Sequence, residues 1–379
     1  MLRKTLFWGH LIAGFVASLF ILVMSVTGVL LTYEAQIVDF SMNRALSIPE
    51  NAVPLDADAM VSAVLAGGGE PGQSLVLTRE TNQFAALVAG RDSVVIDPYT
   101  GVPVDGAGAA TQAVFSKITA LHRWLSMTGP TEVGSALVDA SNLVFLFLTA
   151  SGLYLWLPPA FRWTRLKMQL LFRRGLPSAQ ARHYNWHHVF GIWALIPLFV
   201  ITLSGVVMSY SWANTLAFAA VGEQAPQGRP GGTAALPADL QGAVLGESAM
   251  PYAALVDAAK KEVPDWREAS LVLPVPDAAY VQITMDAGNG VQNFAKTQLV
   301  LDRATGDIVS KQSGATGSLG VRLRGWFRFV HTGEIYGIIG QTIAGLASLA
   351  AIILVYTGLS LGIRRLARMW RQRRVALAK

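Results

Sequence analysis

The sequence contains no cysteine among its 379 residues and is poor in charge, since only 14% of the residues are Asp, Glu, Lys or Arg. The absence of cysteine excludes disulfides, iron–sulfur clusters, thiolate zinc sites and covalently attached c-type haem. Soluble globular proteins carry about 25% charged residues. The low charge, beside 52% hydrophobic residues, therefore indicates a membrane protein whose redox or metal chemistry must rest on histidine, methionine, carboxylates or a non-covalent cofactor.

Sequence signatures of several enzyme classes are also missing. No P-loop, dinucleotide-binding fingerprint or activated nucleophile is visible, which gives hydrolase and NAD-dependent functions little support. We expect no nucleic-acid partner.

Four apolar segments are long enough to cross a bilayer, and we predict transmembrane helices at 6–32, 136–157, 184–210 and 337–362. The loop 158–183 and the tail 363–379 contain basic residues and no acid. By the positive-inside rule, both termini and this loop are cytoplasmic. We therefore predict a multi-pass protein of a bacterial inner membrane, embedded in the lipid bilayer.

A repeated segment organises the chain. Residues 7–33 align with residues 184–210, and each copy is an apolar run with a histidine near its start and a Ser/Thr-Gly pair near its end. The aligned residues are His10 with His187, Gly14 with Gly191, and Gly28 with Gly205. In a continuous helix, the histidine and the later glycine of each copy are five turns apart and share one face.

The segments between the spans repeat as well. Helices are predicted at 55–66 and 251–262, each followed by strand-like runs and a D-x-x-T-G turn. We predict two small α+β domains outside the membrane, at 34–110 and 233–311. Each precedes an interfacial segment, at 112–128 or 320–333, that mixes aromatic with basic residues. The expected fold class is an α-helical membrane protein of four spans with internal duplication.

Four of the six histidines occupy equivalent places in the two halves: His10 and His187 at the cytoplasmic end, and His122 and His331 at the outer end. Ionisable groups inside a membrane mark function by default, and neutral imidazole ligates haem iron without cysteine. The pairing therefore suggests two bis-histidine b-type haems. A single haem, a divalent-metal site or no cofactor are the alternatives.

Glycines accompany these histidines. Gly14 and Gly191 lie one turn after their histidines, where a missing side chain clears space beside a porphyrin. A Ser/Thr-Gly pair occurs once per predicted span, beginning at Thr27, Ser151, Ser204 and Thr357. These pairs, with Gly28 and Gly205 among them, serve either close helix packing or a flat group between helices. His188 adjoins His187 and is the alternative ligand on that helix.

Three motifs carry a family resemblance: LHRWL at 121–125, SGLYLW at 151–156 and the D-P-x-T-G turn at 97–101. Together they resemble the PepSY-associated transmembrane family, and the layout looks most like its ferric-siderophore reductases of the ferrioxamine B type. The resemblance implies two PepSY-like domains and two b-type haems on His10, His187, His122 and His331. It also implies electron transfer from an unknown cytoplasmic or membrane donor to a periplasmic ferric siderophore, which releases Fe(II). Individual catalytic residues remain unknown.

Two other functions compete with this one. PepSY-like domains also occur in inhibitory or chaperoning modules, which suggests a non-catalytic membrane-tethered binding or regulatory protein with interfacial histidines. A metal or chelate transporter has less support, because the spans carry few polar groups.

Overall fold

The computed structural model describes residues 1–46, 53–80, 83–89, 92–158, 162–226, 236–237, 240–246, 248–273, 277–288 and 292–377. The start of the predicted second domain (233–235), part of the basic loop (159–161) and the last residue, Lys379, lie outside these ranges. The chain forms two compact units. The helical unit comprises Met1–Glu34, Ala113–Ala220 and Trp326–Lys379, and the sheet unit comprises Ala35–Gln112 and Val221–Gly325.

The described residues form twelve α-helices and seven strands. The helices are α1 (Leu2–Leu31), α2 (Glu34–Asn43), α3 (Ala57–Ala66), α4 (Ala109–Trp124), α5 (Glu132–Trp156), α6 (Trp163–Leu170), α7 (Ala179–Trp193), α8 (Leu195–Ser209), α9 (Ser211–Ala219), α10 (Tyr252–Glu262), α11 (Leu319–Thr332) and α12 (Gly337–Leu377). The strands are β1 (Ser74–Thr78), β2 (Ala85–Ala89), β3 (Asp92–Ile96), β4 (Glu268–Val272), β5 (Tyr280–Asp286), β6 (Lys296–Asp302) and β7 (Ile308–Ser313).

Three single helices are long and apolar enough to span a membrane: α1, α5 and α12. A fourth span exists if α7 and α8 are counted as one, and these two helices meet at an angle of 65°. The fold is thus that of a multi-pass, mostly helical membrane protein with a small antiparallel sheet. The predicted basic tail is not a separate segment, since α12 continues through it to Leu377.

The break between α7 and α8 differs from the single helix predicted at 184–210, and Pro197 explains it. Proline lacks a backbone N–H and its ring clashes with the carbonyl four residues earlier, which belongs here to Trp193. Helix α7 ends at that residue, and Pro197 lies in the first turn of α8, where proline is tolerated. His187 and Gly205 therefore lie on two differently oriented helices, so the five-turn argument holds for α1 alone.

The spans pack so that α5 and α12 each contact both α1 and the α7–α8 pair. Small residues permit close approach on α12, where Ala347, Ala350 and Ala351 pack against Leu198 of α8. The Arg3 guanidinium donates hydrogen bonds to the last carbonyls of α5, and Arg365 lies over two aromatic rings of α1. These contacts bring the start of α1, the end of α5 and the basic part of α12 to one end of the bundle, here called the basic end.

The sheet unit contains one sheet of order β3-β2-β1-β4-β5-β6-β7, in which every neighbouring pair is antiparallel. The first strands of the two segments, β1 and β4, pair over five residues from Ser74–Val272 to Thr78–Glu268. The two segments predicted as separate domains therefore share one sheet. They also share a core, in which α3 and α10 contribute Met60, Val64 and Leu255.

The two D-x-x-T-G turns, at 97–101 and 302–306, have the same hydrogen bonds. In each, the aspartate carboxylate accepts from the backbone N–H two residues later, and the glycine N–H donates to the aspartate carbonyl. Gly101 and Gly306 have φ angles of +70° and +78°, which glycine adopts without strain. The second turn keeps this geometry although Arg303 stands where the first has proline.

Candidate functional site

The structure places the four predicted histidines on four different helices. His10 lies on α1 and His187 on α7, towards the basic end, and we call them the basic-end pair. His122 lies near the end of α4 and His331 near the end of α11, and we call them the distal pair. Because Thr27 of α1 contacts His122, the two pairs are separated by about 25 Å along the axis of α1, at 1.5 Å per residue.

Each of these histidines bonds through Nδ1 to the hydroxyl of a Ser/Thr-Gly pair on another helix. The four contacts are His10 with Ser151 at 2.9 Å, His187 with Thr357 at 3.0 Å, His122 with Thr27 at 2.8 Å and His331 with Ser204 at 3.2 Å. The four pairs noted in the sequence thus receive the four paired histidines, one each. The hydroxyls of these pairs therefore orient the imidazole rings.

The hydroxyl contacts fix which ring nitrogen carries the proton. Each hydroxyl has one hydrogen, which it donates to a backbone carbonyl of its own helix. The hydroxyl oxygen must then accept from the histidine Nδ1–H. In a neutral imidazole the other nitrogen, Nε2, is left with a lone pair. For His331 a second bond at 2.9 Å to the carbonyl of Ile201 requires the same tautomer, since a carbonyl only accepts.

Three of the four glycines lie against an imidazole. An added Cβ would be 3.2 Å from His187 Cε1 at Gly358, 3.4 Å from His10 Cε1 at Gly152 and 3.7 Å from His122 Cε1 at Gly28. Only the distance at Gly358 is shorter than an ordinary van der Waals contact, so glycine there lets the His187 ring lie close to α12. Gly205 is different, because a Cβ there would lie 2.6 Å from the amide nitrogen of Asn142 on α5. It serves close packing of α8 on α5 rather than contact with a histidine.

Gly14 and Gly191 are not packed tightly. A Cβ at either position would meet only a leucine methyl at 3.8 Å, from Leu148 or Leu354, which is an ordinary van der Waals distance. Neighbouring helices therefore do not require a glycine at these two sites. Space remains beside each of them, one turn from a histidine.

The distal pair has the separation expected of two imidazoles on one metal. Its ring centroids are 6.5 Å apart and its ring planes are inclined by 69°. With an N–metal distance of about 2.0–2.1 Å and a ring radius of about 1.2 Å, two imidazoles on opposite sides of one metal have centres about 6.5 Å apart. The centroid separation is therefore compatible with a bis-histidine iron ligand set.

Both histidines of the distal pair are neutral near pH 7. Burial, followed by repulsion from His331, lowers the pKa of His122 to about 4. Burial also lowers the pKa of His331 below its ordinary value. A neutral imidazole is the form that ligates a metal, so the surroundings of this pair favour the ligand state.

At the basic end, His10 is held by Ser151 of α5 and His187 by Thr357 of α12. His188, the alternative ligand, donates from Nδ1 to the carbonyl of Tyr184 in its own helix at 2.9 Å and stacks on the Tyr184 ring at 4.0 Å. Only His187 of these two neighbours has the contact with a Ser/Thr-Gly pair that the other predicted ligands share.

His183 is a fifth histidine with a hydroxyl partner, which the sequence analysis did not single out. Its Nδ1 lies 2.8 Å from the Ser360 hydroxyl, one turn from the His187–Thr357 contact, and its side chain is buried. Within the described ranges, no group of three or more His, Cys, Asp or Glu residues is arranged to hold a metal ion.

Comparison with known proteins bears on this arrangement. The family described as the PepSY-associated TM region matches residues 7–365. The chain belongs to this family. Two of the motifs by which the sequence resembles PepSY-associated TM proteins lie at the site, since LHRWL contains His122 and SGLYLW begins with Ser151-Gly152. No curated protein matches the chain.

Proposed function

We propose that this protein is an inner-membrane reductase that holds two b-type haems and passes electrons across the membrane to a periplasmic ferric siderophore. The observation that carries the proposal is the repeated contact of a histidine Nδ1–H with a Ser/Thr hydroxyl, which leaves four Nε2 lone pairs in two groups. His10 and His187 would hold one haem, and His122 and His331 the other. When bound, haem supplies one-electron Fe(III)/Fe(II) chemistry.

The residues of this chain have positioning roles in that function. The four hydroxyls keep the proton on Nδ1 and hold the ring orientation, as outer-shell partners of metal-ligating histidines do. The 25 Å along α1 between the two pairs, an approximate distance, is comparable with the roughly 30 Å thickness of the hydrocarbon core. One pair would therefore lie near each membrane surface, which suits transfer between the two sides.

The direction of transfer follows from charge. The basic end carries the acid-free loop and tail, and the positive-inside rule assigns such segments to the cytoplasm. The basic-end pair would then receive electrons from a cytoplasmic or membrane donor. The segments of the sheet unit would be periplasmic and PepSY-like.

The choice of substrate rests on the family resemblance together with the chemistry of iron. A siderophore holds Fe(III) through hard oxygen ligands, and one electron converts the ion to Fe(II), for which these ligands are less suited. The reduced iron is released and the chelator remains intact. No bond within the siderophore has to break in this reaction.

The experiment is anaerobic stopped-flow reoxidation of the dithionite-reduced protein in nanodiscs. We expect ferrioxamine B to return the visible spectrum to that of the oxidised protein, with Fe(II) trapped by a colorimetric chelator. The gallium complex of the same siderophore is the matched control, because it has the same shape and charge and cannot accept the electron. Equal traces with iron and gallium would refute the reductase. A colourless protein from haem-replete cells would favour the membrane-tethered binding protein instead.

A further inference from the structure

A cavity of about 700 Å³ lies at the basic end of the helical unit. Its wall is formed by the loop after α6 and by one face of α7, where residues 182, 186 and 190 recur at helical spacing. The side chains that define it are Phe172, Arg173, Arg174, Arg182, Trp186 and Phe190. The cavity is open to solvent on one side, and its volume lies within the range of about 300–1,000 Å³ found for small-molecule sites.

The loop that closes the cavity is fixed to α7. Asn185, which is only 4% exposed, donates to the carbonyls of Met168 and Leu171 and accepts from the backbone N–H of Arg173. Trp193 donates from Nε1 to the carbonyl of Leu170 at 2.9 Å. A loop that serves only to set the orientation of the protein in the membrane requires basic residues. It does not require a backbone held by hydrogen bonds to a neighbouring helix.

Side chains that line the cavity also contact one another. The Phe172 ring packs edge-on against the Phe190 ring, with centroids 5.1 Å apart. The Arg182 guanidinium lies over the Trp186 ring, 6.0 Å from its centroid. The cavity therefore combines aromatic walls with one guanidinium group, that of Arg182, placed over an aromatic ring.

The charged side chains that line the cavity are all basic. The cavity carries three arginines, and the segment 158–183 has no acidic residue. None of the ion pairs found among the described residues involves Arg173, Arg174 or Arg182. Guanidinium groups recognise phosphate through paired hydrogen bonds, so the charge of this site is complementary to a phosphate group.

We propose that this cavity is a binding site for a phosphate group, carried either by a soluble cytoplasmic molecule or by the headgroup of an anionic phospholipid. The three arginines bind the phosphate, and the aromatic walls contact the apolar or planar part of the same ligand. Trp186 immediately precedes His187, so the cavity and the basic-end pair share α7, on faces about 100° apart. A role of the ligand in electron supply rests on the proposed function, whereas the binding site does not.

The test measures binding to the full-length protein in detergent, with two probes. Native mass spectrometry with dioleoyl phosphatidylglycerol tests the lipid source, with phosphatidylcholine as the neutral comparison. Inorganic pyrophosphate, followed by thermal stabilisation, tests the soluble source. The variant R173Q/R174Q/R182Q removes the cavity charges, and the matched control R371Q/R373Q/R374Q removes the same charge from the exposed tail of α12.

We expect the cavity variant to weaken binding of at least one probe by about tenfold or more, while the tail variant changes it by less than about twofold. The probe that responds identifies the source of the phosphate. Equal losses in both variants would overturn the proposal, as would the absence of saturable binding by either probe. A third variant, R173K/R174K/R182K, keeps the charge and folding and should still bind more weakly than the wild type, because lysine lacks the paired donors.

Discussion

His187→Ala is expected to purify with one haem fewer than the wild type, whereas His183→Ala is expected to keep the full haem content. The two side chains lie one turn apart on α7, and each bonds through Nδ1 to a hydroxyl on α12. They therefore share a helix and the chemistry of their partners. They differ in that only His187 is equivalent to His10 in the repeated segment. Of the two, only His187 is a proposed axial ligand, and removing it leaves a bis-histidine haem without one of its two protein bonds.

The measurement is haem per protein by the pyridine haemochrome method on matched preparations. His188→Ala serves as a second control, because its ring is held by Tyr184 of the same helix. A loss of haem in His188→Ala with none in His187→Ala would assign the ligand to the neighbouring position. Equal losses in the His183 and His187 variants would show that α7 needs its histidines for folding rather than for ligation.

Thr357→Val is expected to weaken haem retention at the basic-end pair by about 10–100-fold, the range found for outer-shell partners of metal ligands. Valine keeps the shape of threonine, but it cannot accept the His187 Nδ1–H. An unpaired buried donor costs about 1–3 kcal/mol, and the ring loses the contact that fixes its tautomer. The expected result is a haem that dissociates faster to a haem acceptor such as apomyoglobin.

Thr202→Val is the matched control for this prediction. Both threonines are almost fully buried, at 0% and 1% exposure, and both donate to the carbonyl four residues earlier. Among the described residues, no histidine is a hydrogen-bond partner of Thr202, whose carbonyl accepts from Asn142. Haem transfer from Thr202→Val should match the wild type. Equally fast transfer from both variants would show that buried hydroxyls act on helix packing alone.

Much of the fold was readable from local patterns. Apolar length predicted α1 and α5 within a few residues, because a bilayer requires a minimum helix length. It also predicted the start of α12, which continues 15 residues past the predicted end at 362. Alternating apolar residues and turn signals predicted the strands of the sheet unit. The pairing of β1 with β4 was not predictable in this way, because it joins residues almost two hundred positions apart and no local pattern records such a pairing.

The bend at Pro197 shows a different limit. An apolar run with a proline in it can continue with a kink or break into two helices, and the packing of neighbouring helices decides between them. The apolar composition of the third span was therefore predictable from the sequence, but the change of direction between α7 and α8 was not. The argument that placed His187 and Gly205 on one face depended on that direction.

The candidate site was predicted in part. Four histidines in two equivalent pairs were visible because histidine is rare in this chain, and the four Ser/Thr-Gly pairs were visible as small residues in apolar helices. The connection between the two sets was not, since each histidine contacts a pair on a different helix. One signal was available in the sequence: the predicted spans contain four Ser/Thr-Gly pairs, which equals the number of paired histidines.

The most direct test of this account is the number of haems bound per chain in protein purified from haem-replete cells. The measurement combines the pyridine haemochrome assay with quantitative amino-acid analysis, and the dithionite-reduced spectrum identifies the ligand type. Two b-type haems per chain, with the sharp α and β bands of six-coordinate low-spin haem, are the predicted result. A preparation with no haem, or with a single haem that survives replacement of His122 and His331, would contradict the assignment of the two histidine pairs.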